Sequence, residues 1–211
     1  MLQNYLFWFF QRCSSPDEAL SYSLYTEEFP AIQDAGISEA APTINYNTRA
    51  TIGTSADGRH YYLVQFDVSS LHGKTIDKAV LQFTTQGGSC WSSHLRYVCN
   101  RDIHVVAYPV TTSWNERIVA WNTAPQFDET KELEKIIVDD PIWNENTMYE
   151  ISSAELDDIV WQWAHDKDNN YGIVLMSTDE TITYFNQKDV VIATKDQKTN
   201  PAAVQLVVTY H

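Results

Sequence analysis

Cys90 and Cys99 stand nine residues apart and enclose Trp91-Ser92-Ser93-His94-Leu95-Arg96-Tyr97-Val98. At that spacing two cysteines can close a hairpin tip as a disulfide, provided their Cα atoms come within about 7 Å. Such a bond belongs to an oxidising setting, outside the cell or on a cell or virion surface. A loop held in this way presents Trp91 and Tyr97 as flat apolar faces with polar edges, beside His94 and Arg96. That chemistry suits stacking on sugar rings and hydrogen bonding to their hydroxyls, so Trp91, His94, Arg96 and Tyr97 are the candidate glycan contacts. The competing reading is that these side chains cover a domain end or a neighbouring subunit. Cys13 is the odd thiol, either buried and reduced or bridged to a partner. No CxxC or HxxxH spacing offers a structural zinc site.

Acid–base chemistry is harder to place. The carboxylate neighbours Asp139/Asp140, Asp157/Asp158 and Asp179/Glu180 lie side by side in the chain. A glycosidase needs two carboxyls facing one another across a cleft, about 5–10 Å apart. Adjacent residues point apart or into solvent, so these read as solvated surface charge. The six histidines are scattered, and no serine sits in GxSxG. The chain therefore reads as a non-enzyme, with a polysaccharide-degrading enzyme the weakest alternative. Asp166-x-Asp168-x-Asn170 has the first ligand positions of a calcium loop, but its glycine falls one place late and position 12 is Ser177. It reads as a polar helix-to-strand turn. Calcium is still a candidate cofactor, with Asp34 and Glu39, at the strand that opens the domain, as its candidate metal ligands.

Charge narrows the partners. The 211 residues carry 14 Lys plus Arg against 28 Asp plus Glu, a formal net charge of −14. Phosphate binding needs a basic surface, so nucleic acid is excluded as a partner, and an anionic membrane is disfavoured. Aromatics reach 13%, too core-rich for a disordered acidic protein. Only 7 glycines are present, with neither GxGxxG nor GxxxxGK[ST] among them.

These side chains need a scaffold, and the patterning is that of a β protein. Short β-branched and aromatic runs predict strands at 31–39, 60–67, 78–86, 102–110, 135–138, 146–151, 171–177, 182–185, 190–194 and 203–210. Breaker clusters at Gly53–Gly58, Gln86–Gly88, Asp139–Pro141 and Thr199–Pro201 separate them. One segment departs from this period. Ser152-Ser153-Ala154-Glu155 fits a capping box, and Leu156, Ile159, Val160 and Trp163 then form one helical stripe. The predicted fold is all-β, a jelly-roll β-sandwich with one short amphipathic helix at about 152–165 and an N-terminal extension. Residues 31–211 form the domain and residues 1–30 the extension. Within the extension, Tyr5-Leu6-Phe7-Trp8-Phe9-Phe10 is too short for a membrane span or a signal core. It reads instead as a strand or plug, on its own domain or between subunits, because an uncovered run of this kind invites aggregation.

Residues 31–211 resemble the DNRLRE domain, the group that includes carbohydrate-binding module family 96. Five landmarks carry the likeness in order. They are Gln33–Glu39 with Pro42-Thr43-Ile44-Asn45-Tyr46; Tyr62–Leu71; Thr112–Glu116 with Val119–Pro125; the capped helix with Asn170–Leu175; and Phe185–Asp189 with Asn200–Tyr210. The resemblance implies a jelly-roll module of secreted or surface proteins, usually non-catalytic, with glycan binding in some members. Trp114 and Trp121 are expected as core aromatics at a strand corner. Two positions depart from the family pattern, Gln65 for an arginine and Gln187-Lys188-Asp189 for Ser-Arg-Glu. An acidic polysaccharide such as alginate fits poorly with a chain of net charge −14.

Two roles follow for an extracellular module. The first is a structural subunit of a surface filament, sheath or coat, a homo-oligomer or polymer in which Tyr5–Phe10 completes a neighbour's sheet edge. The alternative is a carbohydrate-binding or adhesive module with a polysaccharide as partner.

Overall fold

The computed structural model describes residues 23–48, 50–55, 58–91, 102–139, 146–179, 187–197 and 203–211. Ten strands and one helix run through them: β1 (Tyr25–Ser38), β2 (Ala50–Ser55), β3 (Gly58–Phe66), β4 (Ile76–Trp91), β5 (Ile103–Pro109), β6 (Glu134–Val138), β7 (Met148–Ile151), α1 (Ala154–His165), β8 (Ile173–Ser177), β9 (Gln187–Ile192) and β10 (Val204–Tyr210). Every described pairing is antiparallel. Over the described residues the fold is the expected all-β sandwich with one α-helix.

Two long strands each serve both sheets. The first part of β1 pairs with β10, and after an irregularity between Ala31 and Gln33 the remainder pairs with β3. β4 likewise pairs with β10 and β7 through its first half, then with β9 from Thr85 onward, with an irregularity between Thr85 and Gly88. Bulges of this kind bend a strand and increase its twist, which lets one strand turn the corner between packed sheets. Gln86-Gly87-Gly88 is therefore a bulge inside β4, where a strand break is expected from sequence. Similarly β1 begins at Tyr25, so the last six residues assigned to the extension belong to a paired strand.

A second difference lies at Gly53, expected in a breaker cluster but placed in β2, opposite His60 on β3 and Asp189 on β9. A Cβ there would stand 2.2 Å from the Lys188 carbonyl oxygen, and φ is +146°. The glycine thus permits close strand approach instead of ending the strand. The strand expected at 182–185 lies outside the described residues.

Alternation places Tyr62, Val64 and Phe66 of β3 inside the sandwich, with Leu81, Phe83, Leu206, Ile173 and Val190. The helical stripe joins the same core: Leu156, Val160 and Trp163 are buried and Ile159 packs at its margin. At about 1.5–3 kcal/mol per fully buried large apolar side chain, these contacts outweigh the intrinsic propensity of a twelve-residue helix. Its N-cap is Ser153, whose Oγ accepts from Leu156 N at 3.1 Å. Glu155 is one place too early to return the bond, so the expected capping box is a single-sided cap. Asp157 Oδ1 accepts from Ala79 N of β4 at 2.5 Å and pins the helix to the sheet.

Candidate functional site

The opposite face of β3 builds a different surface. Tyr61 and Leu63 point away from the sandwich interior and pack with Ala35, Ile37 and Val174 beneath the chain between β5 and β6. That chain bears Val110, Val119, Trp114, Trp121 and Phe127. Several polar ties hold it in place. Trp114 Nε1 donates to the Tyr171 carbonyl at 2.8 Å, and Asn45 Nδ2 to the carbonyls of Glu116 and Val119 at 2.7 and 2.6 Å. Asn122 N donates to Pro42 O at 3.0 Å, and Thr123 Oγ1 accepts from Ala120 N at 3.0 Å to close the turn that carries Trp121. Trp114 and Trp121 are half-buried, so the expected corner aromatics cover the outer face of a sheet and stay partly open to solvent.

Between this covering chain and β3 runs a groove of about 230 Å³. Ile37, Leu63 and Val174 form its floor, and Tyr61, Trp121 and Phe127 its aromatic walls. Tyr61 and Trp121 have ring centroids 4.9 Å apart in a tilted arrangement, and Phe127 meets Tyr61 edge-on at 6.1 Å. Arg59 and Glu129 are the charged residues of the lining. The Arg59 guanidinium lies 5.3 Å from the Trp121 ring centroid and 5.9 Å from that of Tyr61. Its Nε donates to Glu39 Oε2 at 3.1 Å and one terminal nitrogen to Oε1 at 3.4 Å, while Arg59 N also donates to Oε2 at 3.1 Å. These hydrogen bonds pull the Glu39 carboxyl below its ordinary range and raise the already high Arg59. Burial raises the Tyr61 phenol, which stays protonated. Beside this groove and sharing Ile37 is a smaller depression of about 170 Å³ lined by Ser38, Tyr46, Thr51, His60 and Asp189.

A second aromatic feature lies on the helix. Trp161, 47% exposed, stacks on His165 at 4.2 Å, and His165 Nδ1 is 2.8 Å from the Trp161 carbonyl. The imidazole thus covers one indole face.

Of the glycan contacts expected from sequence, Trp91 ends β4, where its backbone pairs with Gln187, and Cys90 pairs with Lys188. His94, Arg96, Tyr97 and Cys99 lie outside the described residues, as do Cys13 and Tyr5, Leu6, Phe7, Trp8, Phe9 and Phe10. Asp34 and Glu39 are not brought into one ligand set. Glu39 is committed to Arg59. Asp34 is fully buried, where its Oδ2 accepts from Tyr62 Oη at 2.8 Å and Lys195 N at 2.9 Å. Burial pushes the Asp34 carboxyl above its ordinary value despite those bonds. Among the described residues, no group of three or more His, Cys, Asp or Glu could hold a metal ion.

The groove itself was not anticipated. Arg59 and Tyr61 alternate on β3, whereas Trp121 and Phe127 come from a chain some sixty residues later, and nothing local couples the two. The signal present was the Trp121-Asn122-Thr123-Ala124-Pro125 turn, which holds an aromatic beside a proline. Among the described residues no helix is long and apolar enough to cross a membrane. The family model of carbohydrate-binding module family 96 matches residues 25–210. No curated protein matches the chain. The chain belongs to carbohydrate-binding module family 96.

Proposed function

We propose that this member of the family is a non-catalytic, extracellular or surface-associated module that binds a polysaccharide through the groove of Tyr61, Trp121 and Phe127. The observation that carries this reading is the aromatic wall with Arg59 and Glu129 at its edge, set on the fold of a carbohydrate-binding family. A sugar ring offers apolar C–H faces to the indole and hydroxyls to the polar edge. Sites of this composition, mostly apolar with a few placed polar groups, are the usual form of a small-molecule pocket. Trp121 belongs to a short turn outside the strands, so it can contact ligand without breaking the core.

This reading displaces the structural-subunit role expected from Tyr5–Phe10. That role rests on residues outside the described structure, and nothing in the family match favours a filament or sheath. The loop contacts Trp91, His94, Arg96 and Tyr97 are an additional proposed surface, secondary to the groove.

Affinity electrophoresis through gels containing a panel of soluble polysaccharides tests the proposal. Retarded migration by at least one polymer, weakened about tenfold or more by Trp121→Ala with the circular dichroism unchanged, is the expected result. Binding that survives Trp121→Ala intact would move the site elsewhere, and migration unaffected by every polymer would end the carbohydrate reading.

A further inference from the structure

We infer that Lys195 is a positioning residue for the groove: its ammonium fixes Glu116, and through Glu116 the covering chain that presents Trp121; this rests on the carbohydrate reading above. Lys195 lies just beyond β9, in a turn closed by Gln197 N donating to Thr194 O at 3.1 Å. Its main-chain N donates to the buried Asp34 at 2.9 Å, so the backbone of the turn is tied to β1. Its Nζ stands 3.0 Å from Glu116 Oε2 and donates to Asp196 Oδ1 at 3.1 Å. The side chains of Lys195 and Glu116 are only 18% and 22% exposed, so solvent and salt screen this pair less than Arg59 and Glu39.

Glu116 also joins the covering chain to β1 and to the segment that follows it. Its Oε2 accepts from Asp34 N at 3.2 Å, its N donates to Gln33 Oε1 at 3.3 Å, and its carbonyl accepts from Asn45 Nδ2 at 2.7 Å. The turn from Asn115 to Val119 is closed by Ile118 N and Val119 N, which both donate to the Asn115 carbonyl. Asn45 Nδ2 holds the Val119 carbonyl as well, at 2.6 Å, and Ala120 N donates to Thr123 Oγ1 across the turn of Trp121. The path from Glu116 to Trp121 thus runs through tied backbone, and a shift of Glu116 is passed to the indole.

Charge decides whether Glu116 stays in place. Partial burial works against the Lys195 charge, but hydrogen bonds to Glu116 and Asp196 outweigh it and raise the ammonium above its ordinary value. Removing that ammonium leaves Glu116 and Asp196 without the cation that both now face. A part-buried carboxylate stripped of its partner is costly to keep inside, so Glu116 swings toward water and releases Asp34 N. The Trp121 ring then loses its fixed separation of 4.9 Å from Tyr61. A site whose supporting contacts are loosened loses affinity while every contact residue is still present.

The test combines polysaccharide binding with fluorine NMR of the whole chain labelled with fluorotryptophan. The Trp121 and Trp161 signals are assigned with Trp121→Phe and Trp161→Phe, and binding is read by affinity electrophoresis in alginate, a soluble β-glucan and a galactomannan. We expect Lys195→Met to shift or broaden the Trp121 signal, to leave Trp161 on the helix unmoved, and to weaken binding about fivefold or more. Lys195→Arg should stay within about twofold of the parent, because a guanidinium can face the same two carboxylates. Glu116→Gln removes the ion pair at nearly constant shape; it should repeat the Lys195→Met result and carries the test if that variant fails to fold. A Trp121 signal or a binding affinity that Lys195→Met leaves unchanged would overturn the inference. Equal displacement of both signals with a general loss of stability would also overturn it, since Lys195 would then merely hold the fold. A parent that binds none of the polymers, with the Trp121 signal still moved by Lys195→Met, would overturn the carbohydrate reading and leave Lys195 as the support of the covering chain.

Discussion

The Arg59 guanidinium lies 5.3 Å from the centroid of the Trp121 indole, while its Nε and main-chain N both donate to one Glu39 oxygen. The β-strand that supplies Arg59 and the distant turn that supplies Trp121 are thereby joined by a single side chain. A cation over an aromatic face contributes about 0.5–1 kcal/mol at an exposed site. Arg59→Ala should therefore weaken polysaccharide binding by roughly two- to fivefold, since the indole loses the group that orients it. Arg59→Lys should recover little, because an ammonium cannot hold both Glu39 oxygens in a planar fork. Calorimetric titration of both variants checks this, and a fully active Arg59→Lys would show that charge alone suffices.

Glu39→Gln removes the carboxylate that holds the fork. Stability should change by no more than about 1 kcal/mol, because both side chains of the pair are largely exposed to solvent. The freed guanidinium should raise affinity for alginate several-fold over the parent protein. Acid has a related effect. The Glu39 carboxyl is held below its ordinary value chiefly by Arg59, so its small stabilisation is present above the unfolded-state value and is lost as pH falls through the lower, folded one. Alginate affinity that is unchanged in Glu39→Gln would mean that Arg59 has no access to ligand even when released.

Much of the scaffold was readable in the chain because it is written locally. The alternation Tyr62, Val64, Phe66 and the stripe Leu156, Val160, Trp163 each report one face of one element, and the structure buries both sets. The elements that depart from the local pattern are those where a glycine serves a neighbour instead of a turn, Gly53 against Lys188 and Gly87-Gly88 in the β4 bulge. Propensity treats such residues as breaks, since it cannot see the strand approaching from elsewhere. Gln65 is similar. Where the family pattern has arginine, its amide donates to the Asn170 carbonyl and its Oε1 accepts from Gln33, so the position still ties three segments together. The groove was illegible for the same reason, since its two walls meet only in the folded sheet.

Gly53→Ala and Gly73→Ala separate close approach from backbone conformation. Both glycines have positive φ, but a Cβ at Gly53 would meet backbone atoms at 2.2 and 2.6 Å, whereas at Gly73 nothing lies within 4 Å. Gly73→Ala should cost only the conformational penalty of about 1–2 kcal/mol. Gly53→Ala should cost upward of about 3 kcal/mol, as β2 must move away from β9. Urea midpoints at constant slope measure the difference. Equal losses would mean that the β2–β9 contact relaxes freely.

The cap on the helix offers a sharper contrast. Ser153→Ala removes the acceptor for Leu156 N and should destabilise by about 1 kcal/mol. Glu155 does not return a bond to the cap, so Glu155→Ala should change stability by only a few tenths of a kcal/mol through the helix dipole. Thermal unfolding followed at the helical signal distinguishes them, and a Glu155→Ala loss matching that of Ser153→Ala would restore the reciprocal capping box.

Asp34 places a carboxyl inside the sandwich, fully buried, with Oδ2 bonded to Tyr62 and Lys195 N and Oδ1 without a hydrogen-bond partner. Burial dominates the two bonds and raises its folded value above the ordinary one. The native state therefore binds the proton more tightly than the unfolded chain, and ionisation works against folding. Below the unfolded value of 3.8 the group is neutral in both states and adds no cost. As pH rises from there through the raised folded value, stability relative to an uncharged variant must fall, and above that value the deficit is constant. Asp34→Asn lacks this titration, and its carbonyl can still accept from Tyr62 and Lys195 N. Its amide nitrogen would take the unpaired Oδ1 position, where it is a buried donor without an acceptor, as the hydroxyl of the protonated carboxyl also is, and this contribution does not vary with pH. The expected signature is thus a difference that changes with pH. The stability of the parent relative to Asp34→Asn should be greatest at low pH and should fall steadily as pH rises through the window above 3.8. Urea unfolding of both proteins across that range measures it. A stability difference that stays flat, or that moves in the parent's favour as pH rises, would mean the carboxyl is ionised in the fold at its ordinary value, held there by Tyr62 and the Lys195 amide against the cost of burial.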